Sequence, residues 1–485
     1  MRVFDRTETG PAVPEDRTGL TVVAITQPTP NGPLHVGHLS GPYLAADVAA
    51  RAARERGERT LVLAGVDVHQ NYVLTRAQTD GIPVDELVDT YRDRILSAYR
   101  QAGVGWDTFV DPARDPDFVP TVAGFVAGMV QRGTLTMREM TLHRCRDCAR
   151  TLHHSYVAGL CSRCRWPASG GSCEGCGGYT CAQTLLDPVC DRCGGQPVPF
   201  TATVPVLRME DYRDRLLHAW AEAALPPRAR AVVAHYLRVG LPDVPIAYPT
   251  DWGIPGTGPA AGLRVDVYAE LGLSYLYGVG RAVAPAARSL AEFVAAWAEV
   301  DGVWHFHGID NTFYFALLTP ALLTAAGLPK PPLAGLVVNE FLQLDGKKFS
   351  TSRNHAVWAD ELLATEDPAL VRLYLCWNRP DRAETDFTAG SYAAFRDWAG
   401  PLLAGTGSRP ARLSLPAALV PAELDRAEEA LRPESFDPAL AARAVLAVLA
   451  APSISDAQWE RASRLVGTLS GTTAGRAEHR GRAAA

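Results

Sequence analysis

Apolar positions along the chain recur at two spacings, and the alternation between them predicts the elements. The run LTVVAI, residues 20–25, is uninterrupted and rich in β-branched residues, as in a strand buried on both faces. After a turn crowded with proline and glycine, Gly41–Gly57 carries apolar residues at helical spacing. RTLVLAGVDVH predicts a second strand, and PVDELVDTYRDRILSAYRQAG a second helix. A cysteine-rich block flanked by helical segments occupies residues 119–230. Strand and helix alternate again over 231–335, where GVWHFHGID ends a strand and NTFYFALLTPALLTAAG forms a helix. Short parallel strands alternating with helices indicate an α/β fold with a doubly wound parallel sheet, which the cysteine block splits into two halves. Residues 19–118 and 231–335 are then the half-sheets, 336–388 a lysine-bearing loop region and 389–475 a helical bundle. Residues 1–18 read as a flexible arm and 476–485 as a disordered tail.

Composition narrows this picture in two respects. No apolar run approaches the roughly 20 residues that span a bilayer, and the polar start lacks a secretory h-region, so a cytoplasmic protein is expected. The formal charge of -6 supplies no overall basic field, so any nucleic acid would have to meet a local patch. Nine of the ten cysteines lie between Cys145 and Cys193, eight of them in Cys-x-x-Cys pairs, and such clustering argues for metal. Tetrahedral Zn²⁺ takes four thiolates, so the knuckles Cys145/Cys148, Cys161/Cys164, Cys173/Cys176 and Cys190/Cys193 imply two structural zinc sites with no open coordination position. Nested and sequential pairing of the knuckles are both compatible with the spacing. Cys181 and Cys376 have no partner spacing and read as structural thiols.

Two loops carry the candidate chemistry. In TQPTPNGPLHVGHLSG, His35 and His38 stand where a strand turns into a helix, a place where backbone amides and the helix N-terminus accommodate phosphate. Gly37 between them leaves room for a flat base, and the two imidazoles can donate to a polyphosphate as charge builds on it. DGKKFSTS, Asp345 to Ser352, follows His38 about 310 residues later and sets lysines and hydroxyls after a glycine turn. It is suited to closing over a triphosphate.

Together these motifs resemble the HIGH and KMSKS signatures of class I aminoacyl-tRNA synthetases, with PTPNGPLHVGH as the first and Lys348 to Ser352 as the second, Thr351 replacing its second lysine. YPTDWGIPG, HFHGID, VAGLCSRC and GGSCEGC narrow the likeness to methionyl-tRNA synthetases, over about Thr21 to Phe387. The resemblance implies a Rossmann-like catalytic domain, ATP and Mg²⁺, and attack of an amino-acid carboxylate on the α-phosphate. His35, His38 and Lys348 would then stabilise the departing phosphates. Pro30, Asn31, Gly32, Gly37, His305, Gly308, Asp310, Lys347, Ser350, Thr351 and Ser352 would contact ATP. Asp67 would hold the α-ammonium, a carboxylate suited to a cationic amine in a partly dry cleft. The family pattern nests the zinc ligands, Cys161, Cys164, Cys173 and Cys176 on one ion, and Cys145, Cys148, Cys190 and Cys193 on the other.

The side-chain pocket departs from that family. Gln27, Pro28 and Thr29 replace its Leu-Pro-Tyr, Tyr268 its tryptophan, Leu271-Gly272 its Ala-Pro and Tyr314-Phe315 its Phe-His, while Tyr275 is retained. Methionine recognition rests on apolar shape, so these changes imply another substrate, small or polar. The roughly 95 residues after 388 lack the Asn-Leu-x-x-Arg helix that reads the anticodon, and Trp459 reads as packing. Anticodon recognition by this shortened bundle is therefore not expected, and tRNA is an uncertain partner.

The first reading is an amino-acid-activating ligase whose adenylate passes to a small nucleophile. Synthetase-like proteins of this branch in bacterial natural-product pathways work with a zinc cupin to couple an amino acid to an N-hydroxylated amine on the way to a hydrazine. A cupin-type partner enzyme is the corresponding expectation, and no cupin pattern lies in this chain. The alternatives are a methionine–tRNA ligase with a short bundle, and a non-catalytic paralogue, suggested by Thr351.

Overall fold

The computed structural model describes residues 19–350, 355–404 and 415–472, so Thr351, Ser352 and Arg353 of the lysine loop lie outside the described residues. Two compact units emerge, one of residues 19–32, 58–93 and 106–338, the other of 33–57, 94–105 and the described residues from 339 onward.

The first unit is built on a five-stranded sheet in the order Leu333–Asn339, Val300–Gly308, Leu20–Ile25, Thr60–Gly65, Thr108–Val110. Leu20–Ile25 is central and runs parallel to both neighbours, with Ala24 opposite His305 on one side and Leu63 on the other. Val22 to Ile25 are all buried, as an unbroken apolar run requires when both faces are covered. Helices Phe118–Gln131, Val267–Val283 and Thr319–Ala326 pack with one another in this unit. The fold is thus α/β with a parallel, doubly wound sheet interrupted by the cysteine block.

That block hangs on a long antiparallel ribbon, Thr136–Cys145 against Pro197–Arg208, paired from Thr136↔Val206 to Cys145↔Pro197. The hydrophobic pattern did not announce the ribbon, because none of Thr136–Thr141 is buried and charged residues interrupt the apolar ones there. Helices Arg213–Glu222 and Pro227–Val239 follow it.

In the second unit the helix expected at Gly41–Gly57 starts earlier, at Val36, with His35 as its N-cap. It passes through a π-type turn at Leu39–Tyr43 before continuing as Leu44–Glu55. Pro42 explains the irregularity: it has no amide to donate and would crowd the carbonyl four residues back. Gly41 is required there because a Cβ would stand 2.9 Å from the Asn339 side-chain amide. The lysine loop begins as a hairpin of Leu342–Leu344 and Lys347–Lys348, with Thr385–Phe387 parallel beside Leu342–Leu344. Asp345 and Gly346 both have positive φ, the geometry that an Asp-Gly pair favours in a two-residue hairpin turn. Helices Pro368–Trp377, Val420–Glu429, Pro438–Leu449 and Asp456–Ser470 pack together around Leu424, Leu446 and Leu469. Trp459 is half-buried near the start of the last helix. Among the described residues no helix is long and apolar enough to cross a membrane.

Candidate functional site

In the first unit, strand order reverses at the central strand, and the crevice beyond its carboxyl end is where such sheets bind ligands. Thr26 fixes the exit from that strand: its amide and its hydroxyl both donate to the Phe306 carbonyl, at 3.1 and 2.7 Å. Asp67 leaves the adjacent strand, and its amide donates to the Pro28 carbonyl at 2.9 Å. The Asp67 side chain is 4% exposed; Oδ2 accepts a long 3.4 Å bond from Gln70, and Oδ1 has no partner. Burial and then the charge of Glu270 push its carboxyl well above the usual range, against the opposing pull of His69, Gln70 and Thr29. Glu270 binds the His69 ring at 2.7 Å through Oε1 and leaves Oε2 buried without a partner. Burial alone would lower the His69 pKa, but the Glu270 carboxylate outweighs it and raises it. Two buried carboxylates with free oxygens make a place where a cation is strongly favoured.

Around them stand the expected side-chain residues. Gln27 is buried and donates to the Ser274 hydroxyl at 2.9 Å, which in turn donates to the Leu271 carbonyl at 2.7 Å. Tyr275 stacks with His305 and Phe315, with centroids 5.3 and 6.0 Å away, and Tyr268 lies flat on Tyr314 at 3.5 Å. His305, expected at the nucleotide, is thus packed among residues expected at the amino acid. Burial and then His307 hold its pKa well below normal, so its ring is neutral. Pro30 and Gly32 are buried in the turn, where the Asn31 amide donates to Thr29. Gly308 ends its strand, and Asp310 accepts from the Asn311 amide at 3.1 Å. Sequence reasoning missed Glu270, His69 and Ser274; the Asp-x-His spacing of Asp67 and His69 was the available signal.

In the second unit the two motifs, far apart in the chain, meet. The Val36 amide donates to Val357 and the Ala359 amide to Leu34, tying residues 34–36 to 357–359. His38 stacks on His35 at 3.7 Å, and the other face of His35 stacks on Phe349 at 4.5 Å. The His35 amide donates to His38 Nδ1 at 3.2 Å. Gly37 is indispensable here, since a Cβ would stand 2.9 Å from the His35 ring. Burial, then His38, then Lys348 hold His35 well below its usual pKa, and burial pushes His38 down to about 4. Both imidazoles are neutral at pH 7, so each carries a single N–H that it can donate. Lys347 and Lys348 are exposed, with the Lys348 ammonium 5.1 Å from the Phe341 ring centroid. Ser350 and His355 exchange backbone bonds of 2.9 and 3.0 Å at the base of the loop. Stacked imidazole donors beside a lysine form a surface matched to polyphosphate. Phe349, the ring that carries His35, was not singled out from sequence.

The cysteines gather as two sets of four, Cys145, Cys148, Cys190 and Cys193, and Cys161, Cys164, Cys173 and Cys176, with all sulfurs of a set within 4.8 Å of one another. This is the nested arrangement, and sequential pairing is excluded. Sulfur separations of 3.4, 3.8, 3.9 and 3.5 Å bracket the roughly 3.8 Å edge of a tetrahedron with Zn–S near 2.3 Å. The donor sets therefore fit structural Zn²⁺. Cys181 and Cys376 lie outside both sets, and burial pushes the Cys376 thiol up to about 11.

A family model described as tRNA synthetases class I (M) matches residues 21–395. The chain is 30% identical over 378 residues to a methionine–tRNA ligase of Thermomicrobium roseum, covering 76% of this chain and 63% of that protein. It is 29% identical over 374 residues to one of Dehalococcoides mccartyi, with coverages of 76% and 66%. It therefore spans just under two thirds of the length of these relatives. The fold is similar to that of Mycobacterium tuberculosis methionyl-tRNA synthetase in complex with methionyl-adenylate, with TM-score 0.68, 20% identity, and 94% and 92% of the two chains covered.

Proposed function

This chain belongs to the class I (M) tRNA synthetase family, and we propose that it activates an amino acid with ATP, forming an aminoacyl adenylate and pyrophosphate. The observation that carries this reading is the stack of His38, His35 and Phe349 beside Lys348, which unites two motifs at opposite ends of the match. In this reading the neutral imidazoles and the lysine donate to the phosphates as negative charge moves onto pyrophosphate. Pro30, Asn31, Gly32, Gly37, Gly308, Asp310, Lys347, Ser350, Thr351 and Ser352 are proposed to line the nucleotide. Mg²⁺ carried by ATP would add neutralising charge. Asp67 holds the α-ammonium, and the unpartnered Oε2 of Glu270 offers that corner a second acceptor. The two cysteine sets hold structural zinc, so elemental analysis should return two ions per chain.

The amino acid is proposed to be small or polar: Gln27 and Ser274 bring a buried hydrogen-bonding pair to the pocket, which a thioether would leave poorly matched. The acyl acceptor is proposed to be a small amine or hydroxylamine, as in a hydrazine-forming pathway with a cupin-type partner. Committed cations in the C-terminal helices support this: Arg461 is held by Asp425 and Glu428, and Arg432 by Glu429. RNA phosphates need such cations free. Methionine–tRNA ligation is the second reading, favoured by what the relatives are called.

Pyrophosphate–ATP exchange across a panel of proteinogenic and N-hydroxy amino acids tests the proposal. Exchange should appear with at least one and fall by about 10²-fold or more in His38→Ala, the scale of one lost transition-state donor. Absence of exchange throughout defeats it. Charging of methionine onto total tRNA would select the second reading.

A further inference from the structure

Strand Val300–Gly308 carries His305 and His307, and the alternation of a strand puts both rings on one face. Phe315 touches both from that side, with centroids 5.1 Å from His305 and 4.9 Å from His307. His307 is 0% exposed, and neither of its ring nitrogens has a hydrogen-bond partner. His305 is also buried and leaves Nδ1 bare in the same way. Burial holds His307 down to about 3, with the His305 backbone pulling the other way, so its ring is neutral. Whichever nitrogen carries the proton, a neutral ring has one N–H and one lone pair, and here both are unused. A core position would avoid that standing cost with an apolar residue.

The pair lies where the amino acid is expected. Its strand borders the central one, with Ala24 opposite His305, and Thr26 bonds to the Phe306 carbonyl between the two histidines. Tyr275 stacks on His305 at 5.3 Å, and Tyr275 and Phe315 are both residues expected around the amino-acid side chain. Phe315 stands on a π-type turn, Tyr314–Leu318, a backbone irregularity that is frequent at functional sites.

We infer that His307 is a specificity-determining residue of the amino-acid pocket, selecting an uncharged side chain that bears a hydroxyl or a carboxamide, with His305 as its neighbour. This selection rests on the activation reading and narrows its substrate. Phe315 is the cover that turns aside when the side chain enters. An apolar side chain would leave the bare nitrogens as they are. A carboxylate or an ammonium would bring a charge that neutral imidazoles do not balance. A hydroxyl or carboxamide both accepts and donates, so it answers whichever nitrogen faces it.

Pairs of amino acids matched in shape isolate that group: serine with alanine, threonine with valine, asparagine with leucine, glutamine with methionine. Binding by calorimetry and pyrophosphate–ATP exchange are measured for each on the full chain, in wild type, His307→Ile and His307→Gln. In at least one pair, wild type should bind and activate the polar member about tenfold better or more, the effect of one hydrogen bond. His307→Ile should abolish that preference through Kd and KM while melting no lower than wild type. His307→Gln keeps a donor and an acceptor and should restore part of the preference. A wild type that treats both members of every pair alike overturns the assignment and leaves the ring to an internal water. So does a preference that survives in His307→Ile, or tighter binding of aspartate or glutamate than of its amide. Exchange absent throughout, with a His307-dependent preference in calorimetry, would sink the activation reading and spare the assignment. Exchange without any preference would do the reverse.

Discussion

Asp47 in the second unit and Asp67 in the first are both 4% exposed, and they are treated in opposite ways. In the second unit Asp47 is saturated: Oδ2 takes Arg372 at 2.6 Å and Arg51 at 2.7 Å, and Oδ1 takes the Gly105 amide at 3.1 Å. Arg372, itself 1% exposed, spends its remaining donors on the carbonyls of Ala102 and Leu469. In the first unit Asp67 keeps one oxygen bare, with a second carboxylate, Glu270, near enough to repel it. A satisfied buried charge organises the chain around itself. An unsatisfied one destabilises the fold until something cationic arrives, and that need is the physical signature of a binding site.

The sharpest way to break this contrast is at Arg372. Replacing it with alanine leaves Asp47 buried and uncompensated, and should cost about 3–5 kcal/mol in the unfolding of the second unit. Chemical denaturation followed by a probe in that unit measures it. The double change Asp47→Leu with Arg372→Met should recover most of the loss, because what matters is the match and not the charge.

Buried imidazoles of the first unit give the next effect. Burial holds both His307 and His153 down to about 3, against about 6.5 for an unfolded chain. The unfolded state therefore binds more protons between those values, and stability that is complete above pH 6.5 is lost as pH falls toward 3. By pH 5 the loss should be on the order of 2 kcal/mol for each ring, seen as a lower melting temperature. A flat melting temperature from pH 7 to 5 would show that these rings charge freely.

The smallest effect has the opposite sign. The raised pKa of Asp67 means its contribution favours the fold at low pH and is lost as pH rises and the buried carboxyl ionises. Asp67→Asn should therefore stabilise the free protein at neutral pH, by roughly 1–2 kcal/mol. A melting temperature below wild type would mean that Asp67 is structurally paired after all.

Local pattern made much of this legible. An apolar run, a Pro-Gly turn and His-x-Gly-His located the strand-to-helix corner, and Cys-x-x-Cys spacing announced eight metal ligands. What stayed hidden depends on tertiary geometry. His154 and Asp266 are 112 residues apart, and nothing local marks either as half of a pair. The ribbon Thr136–Cys145 escaped notice because its exposed half lacks the alternation that a packed strand shows. The early helix start at Val36 was masked by Pro42, which reads as a boundary yet sits inside a π-type turn. Expectations about Thr351 and Ser352 fall outside the described residues.

The central claim is that the bare oxygen of Asp67 awaits the ammonium of an amino acid undergoing activation. Amino-acid-dependent pyrophosphate–ATP exchange, compared between wild type and Asp67→Asn, tests it most directly. The account predicts a loss of roughly a hundredfold or more in kcat/KM in a variant that melts no lower than wild type, the scale of a lost bond to a charged group. Exchange in Asp67→Asn equal to that of wild type would contradict it.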